Sequence, residues 1–312
     1  MLEENTDNLT ICDVTLREYG QNIPASCLNI FTSEIRVEIA LGLIDAGFNN
    51  LEIFSCINPG VAPAMNMKDI QSIAHRLGRK EGVNTITLVP NQAGYRSFLE
   101  LGLGPDGYNH TMGIFFSAVD AHNLANLGRT VKETIHDYRK IAQDAFAKNI
   151  RMVGYVSAAF GYLEMEKGVL VRAGIDEIND YASLLFDLGA RAVTFSDLQG
   201  VANKEETGMI LEKILDKRKG RDTERLGYHP HHVSGEAAIA NSRVAYDLGI
   251  RRFDASLGGT GGCVTGAPGN QPTEMLVGVF HKSGIKTGIN ERKMILLSEM
   301  VQKRLFSKIS FS

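Results

Sequence analysis

The amino-acid sequence predicts an α/β fold, a (β/α)8 TIM barrel in one domain spanning 1–312, with the barrel over about 10–285 and an additional C-terminal helix over about 290–309. Three observations carry that prediction. Short β-branched or apolar runs alternate with longer stretches of helical period. There are eight such runs, the number that closes a barrel. The helical stretches also end in a recurring phrase, "LIDAGFNN", "LFDLGARA" and "AYDLGIRR", which sets Gly47, Gly189 and Gly249 where a left-handed C-cap returns the chain to a strand. A doubly wound open sheet has the same rhythm and stays the alternative at this point.

Taken in order, the strands also collect polar residues at their C-terminal ends. The first, "TICDVTL" (10–16), is followed by Arg17 and Glu18. The second, "NLEIFS" (50–55), contains Glu52, and the third, "NTITLV" (84–89), precedes Asn91. The fourth is "TMGIFFS" (111–117), and the fifth, "RMVGYVS" (151–157), ends on Ser157. The sixth, "RAVTFS" (191–196), runs into Asp197, and the seventh, "RLGYH" (225–229), into His229 and His231. The eighth, "RRFDAS" (251–256), opens a glycine-rich loop that holds Cys263. The last stretch, "NERKMILLSEMVQKRLFSKI" (290–309), has amphipathic helical period and covers either the barrel or a second copy, which leaves a homo-oligomer open. In barrel enzymes the chemistry sits at the C-terminal strand ends, where these polar residues collect. Turn formation and helix capping account for some of them without function, Ser157 and Asn91 first.

Composition narrows the function classes. The chain has 33 Lys+Arg against 36 Asp+Glu, a net charge of −3, and no long block of one sign to track a phosphate backbone, so no nucleic acid partner is expected. No apolar run approaches the roughly 20 residues that cross a bilayer, and "MLEENTDNLT" lacks the pattern of a signal peptide, so no membrane partner and a cytoplasmic location are expected. The four cysteines, Cys12, Cys27, Cys56 and Cys263, are widely spaced without a CxxC, which points to reduced thiols.

The segment "RLGYHPHHVSGEAAIANS" (225–242) packs three of the eight histidines into four positions. Alone, the cluster reads equally as metal ligands or as a polar turn. On an extended strand end His229 and His231 point to one face, into the barrel mouth, and His232 to the other. Two neutral imidazoles need at least one oxygen ligand to hold a divalent cation with positions open for substrate, and Glu18, or Asp197, lies within reach across the mouth. The donor set leans to Mg2+ or Mn2+, with Zn2+ and Co2+ as alternatives. The loop "SLGGTGGCVTGAPGN" (256–270) has six glycines in fifteen residues, matches no nucleotide-binding glycine pattern, and is suited to move as a lid.

Together "DVTLRE", "YHPHH", "DASLGGTGGC" and "GAPGN" resemble the DRE-TIM metallolyase superfamily. Within it, "LEIFSCINPGVAPAM" (51–65), "LVPNQAGYRSFLELG" (88–102), "VGYVSAAFG" (153–161) and "SGIKTGIN" (283–290) are most similar to the 3-hydroxy-3-methylglutaryl-CoA lyases. The resemblance implies a metal-dependent carbon–carbon lyase acting on a hydroxy acid or acyl-CoA. It assigns Glu18, His229, His231 and Asn270 to the metal, Arg17 to the developing enolate charge, and Cys263 to proton donation. Glu52 and Asp197 match the family's acidic positions on the second and sixth strands, and the base is His229 or Asp197. Three departures bear on the substrate. Glu18 stands where the family has Asp, "REYGQNIPA" lacks the lysine expected near a CoA moiety, and Asn270 lies only seven residues after Cys263. A 4-hydroxy-2-oxoacid aldolase, a Claisen-type synthase and a non-catalytic acid-binding barrel remain the alternatives.

Overall fold

A computed structural model describes residues 9–23, 25–218, 221–232, 234–262 and 268–305. Eight parallel strands close into a barrel: β1 (Thr10–Asp13), β2 (Asn50–Ser55), β3 (Asn84–Leu88), β4 (Thr111–Ser117), β5 (Met152–Ser157), β8 (Ala190–Asp197), β9 (Leu226–Pro230) and β10 (Arg252–Ala255), with β10 pairing to β1. The open-sheet alternative is excluded by that closure. Among the described residues two further strands, β6 (Tyr162–Glu164) and β7 (Val169–Val171), form an antiparallel hairpin after β5 that periodicity did not foresee. The helices in chain order are α1 (Thr15–Asn22), α2 (Ser33–Asp45), α3 (Met67–Leu77), α4 (Gln92–Glu100), α5 (Asp120–Leu127), α6 (Val131–Ala147), α7 (Ile175–Asp187), α8 (Lys204–Lys217), α9 (Gly235–Asp247), α10 (Thr273–Lys282) and α11 (Glu291–Arg304).

The strands are covered on both faces, which is why they read as nearly continuous apolar runs: every residue of β5 is buried, as is all of β8 but Arg191. Helix starts are written locally. Thr130 with Glu133, and Asn203 with Glu206, form reciprocal capping boxes at α6 and α8. Gly47, Gly189 and Gly249 take φ of 103°, 99° and 108° between α2, α7 and α9 and the strands that follow. At Gly47 the conformation is doubly required, because a Cβ there would lie 2.5 Å from the Gly288 carbonyl oxygen.

The expected first strand is too long. It stops at Asp13, and "TL" belongs to α1, because Asp13 Oδ1 accepts the Thr15 N–H at 3.0 Å and turns the chain. The C-terminal helix α11 buries Met294, Leu297 and Val301, sets Leu297 against Gly42 of α2, and pairs Lys293 with Asp45. It therefore covers the barrel's own helical layer. Among the described residues no helix is long and apolar enough to cross a membrane.

Candidate metal and active site

Two strand ends deliver the central groups. At β1, Thr15 Oγ1 accepts from Leu257 N at 2.8 Å and Thr273 Oγ1 donates to Asp13 Oδ2 at 3.3 Å, so the start of α1 is tied to the segment after β10. Arg17 and Glu18 follow within the first turn of α1, which gives them a rigid mount. At β9 the extended chain puts His229 and His231 on one face, both buried. Glu18, His229 and His231 each turn a ligand atom to a common point, with those atoms within 4.8 Å of one another.

Hydrogen bonds fix how the imidazoles face that point. His229 Nδ1 lies 3.0 Å from Asp254 Oδ2 and His231 Nδ1 lies 2.7 Å from the Pro268 carbonyl oxygen. Both partners are acceptors, so both Nδ1 atoms carry the proton and both Nε2 atoms present lone pairs. The two Nε2 atoms are 2.9 Å apart. Lone pairs that close repel unless a proton or a cation lies between them. Burial pushes the His231 imidazole down to about 4, which keeps it in the neutral form a metal requires. Asn270 is bridged to His231, donates through Nδ2 to the Thr260 carbonyl at 2.8 Å, and leaves its Oδ1 buried without a hydrogen-bond partner. An orphaned buried oxygen beside two imidazoles and a carboxylate is the donor set a divalent cation would complete.

Arg17 lies against this group. Its Nε donates to Glu52 Oε1, its Nη1 donates to Glu18 Oε1, and Gln21 Oε1 accepts from the same Nη1 at 3.2 Å. Tyr155 donates from its hydroxyl to Glu52 Oε2 at 2.7 Å, so both Glu52 oxygens are spent on holding neighbours. Burial opposes the Arg17 charge, but Glu18 and Glu52 outweigh it and raise its pKa further above the ordinary value. Burial likewise pushes Glu18 up, and the Arg17 guanidinium outweighs it and brings the carboxyl below its ordinary value. Arg17, Glu18, Glu52, His229 and His231 all line one pocket of about 270 Å³ at the C-terminal end of the barrel.

Not every expected residue joins the group. Asp197 is buried away from the pocket lining, and its oxygens accept from Val201 N and Ala202 N at 3.0 Å each, so it shapes the loop after β8. Burial raises it to about 6. His232 turns its Nδ1 to the Ser234 N–H at 3.0 Å, outside the cluster. Asn91 caps α4 through Gly94 N at 2.9 Å and still lines the pocket, as does Ser157. Cys263 lies outside the described residues. Sequence reasoning missed Asp254 and Tyr155. An acidic residue inside the eighth strand run, "RRFDAS", was the available signal for the first, and "GYVS" offered none for the second.

The family described as HMGL-like matches residues 8–301. The chain is 29% identical to a hydroxymethylglutaryl-CoA lyase of Bacillus subtilis over 95% of its length and 93% of that protein. It is 33% identical to an (R)-citramalyl-CoA lyase of Chloroflexus aurantiacus over 95% of its length and 91% of that protein. Among solved structures, an HMG-CoA lyase from Acinetobacter baumannii in complex with coenzyme A and 3-methylmalate superposes with a TM-score of 0.82 at 27% identity, covering 96% of this chain and 92% of that one.

Proposed function

Because the chain belongs to the HMGL-like family and is a carbon–carbon lyase, we propose that it cleaves a 3-hydroxy-3-methyl acyl-CoA carrying one carboxylate into acetyl-CoA and an oxo acid. The observation that carries the reading is the meeting of Glu18, His229, His231 and the unpartnered Asn270 Oδ1 beside Arg17. In this reading those four residues hold a divalent cation, with Mg2+ or Mn2+ expected from the mixed nitrogen and oxygen donors. When bound, the cation supplies Lewis-acid chemistry at the substrate hydroxyl.

The chain's own groups do the rest. The hydroxyl gives its proton to water as the C2–C3 bond breaks, its oxygen becomes the ketone of the oxo acid, the bonding pair becomes the acetyl-CoA enolate, and the enolate carbon takes up one proton to give acetyl-CoA, so protons balance. Arg17, held by Glu52 and Glu18, keeps a fixed positive charge where the enolate oxygen develops negative charge. Tyr155 holds Glu52, so Arg17 is oriented before substrate arrives. With His229 Nε2 committed as a ligand and Asp197 turned to the backbone, neither is the base in this reading. Cys263 as donor to the enolate carbon rests on the resemblance alone.

Two properties of the pocket select the substrate. Its roughly 270 Å³ suits an acyl group and not a whole coenzyme, so the nucleotide end stays outside it. Arg17 against Glu18 and Glu52 sums to −1, and a dication brings the sum to +1, which one substrate carboxylate neutralises. Among the described residues no lysine lines the pocket to receive a second carboxylate. The similarity to a citramalyl-CoA lyase supports a second reading, in which the oxo acid is a 2-oxo acid instead of a 3-oxo acid. Incubating the Mn2+-loaded protein with HMG-CoA and with citramalyl-CoA separates the two by release of acetoacetate or pyruvate. Turnover of neither, with cleavage of 4-hydroxy-2-oxo acids, would move the protein to the aldolases.

A further inference from the structure

A second cavity, of about 660 Å³, opens outside the barrel between α6, the end of β7 and the first turns of α7, and shares no lining residue with the metal pocket. Its lining carries the cations Lys132, Arg139 and Arg172 and the carboxylates Asp120 and Glu177. Lys132, His136 and Arg139 stand four and three residues apart on α6, so they present on one helical face. Among the described residues, none of the three side chains has a hydrogen-bond or ion-pair partner. Arg172 faces them from just beyond β7, with one nitrogen 2.8 Å from Glu206. The cavity's two carboxylates are already engaged: Asp120 Oδ1 accepts from Val131 N at 2.7 Å, and Glu177 Oε1 accepts from the Tyr181 hydroxyl at 2.8 Å. Val119, Ile135, Val171 and the Tyr181 ring give the same cavity an apolar side.

We propose that this cavity binds a soluble organic phosphate, with its anionic group on Lys132 and Arg139 and its apolar body against Ile135, Val171 and Tyr181. Unpaired cations call for an anion, and a guanidinium beside an ammonium suits phosphate oxygens. A bare inorganic ion would leave the apolar side in water, and the cavity's volume matches a ligand of nucleotide size. Because the two cavities have no residue in common, the proposal stands or falls independently of the substrate assigned to the barrel mouth.

Calorimetric titration of the full chain with ADP tests it, and the variants separate this cavity from any thioester site at the barrel mouth, whose lining they leave untouched. The expected result is ADP binding that weakens at least tenfold in Lys132→Ala/Arg139→Ala and survives within about threefold in Lys132→Arg/Arg139→Lys. Inorganic phosphate is expected to bind at least tenfold more weakly than ADP. Both α6 side chains are exposed, so thermal melting of the variants should match the parent. ADP binding unchanged in the alanine variant, absent altogether, or equalled by inorganic phosphate would each overturn the proposal.

Discussion

Asp254 governs His229 from behind, by accepting its Nδ1 proton at 3.0 Å and so turning Nε2 toward Glu18 and His231. Carboxylate partners of metal-binding imidazoles typically contribute 10- to 100-fold to metal affinity. Asp254→Ala is therefore expected to weaken Mn2+ or Co2+ binding by about that factor, measured by titration and by the Co2+ absorption spectrum, and Asp254→Asn, which still accepts, to recover part of it. Unchanged affinity in the alanine variant would remove Asp254 from the account. Gly261 gives an independent check. Its φ is +94°, and a Cβ there would fall 2.6 Å from Glu18 Oε2 and 2.7 Å from Asn270 Nδ2. Gly261→Ala should lower metal affinity by displacing both ligands, while circular dichroism shows the barrel intact. At this scale the sequence was legible where one residue's geometry followed from local periodicity. The H-x-H spacing on a strand predicted that His229 and His231 share one face, as they do. Asp254 and Tyr155 were not legible, because their partners are 25 and 103 positions away and only barrel closure brings them together.

The repeated helix endings make a sharper prediction than their similarity suggests. Gly249 has φ +108° with nothing within 4 Å of where a methyl group would stand, whereas Gly47 at φ +103° faces the Gly288 carbonyl oxygen. Gly249→Ala is expected to cost about 1–2 kcal/mol from backbone conformation alone. Gly47→Ala should cost more, because steric displacement of the segment leading into α11 adds to the same strain. Urea denaturation of the two variants checks the order, and equal losses would contradict it. The phrase was readable because a helix C-cap is a local device. The shortened β1 was not, since the turn into α1 depends on Asp13 meeting Thr15 and Thr273, the latter from the far end of the chain. The β6–β7 hairpin escaped for another reason: two strands of three residues are too short to establish a period.

Over the whole molecule, buried titratable groups set how stability follows pH. Burial holds His110 down at about 3 and His122 at about 4. Unfolded, both would take protons near pH 6.5. Between about 6.5 and 3 the unfolded state therefore binds more protons, and their contribution to stability is lost as pH falls. Asp13 works in the opposite sense. Burial raises it to about 7, so the folded state holds its proton where the unfolded state has released it, and its contribution is lost as pH rises from about 4 to 7. Replacing His110 and His122 with Asn should flatten the acid-side loss seen by urea denaturation at pH 7 and pH 5; an unchanged slope would show that those imidazoles are not held neutral. The barrel itself was legible because eight strand runs and strand-end polarity both point to one closure. The site was legible only in part, since Asn270 was reached through resemblance and Glu18 only once a barrel was assumed. The most direct test of the central claim is acetyl-CoA release from HMG-CoA and citramalyl-CoA by protein stripped of metal and reloaded with Mn2+. The account predicts no release without metal, release on reloading with at least one of the two thioesters, and loss of both metal binding and release in His231→Ala. Release that persists in the stripped protein, or in His231→Ala, would contradict it.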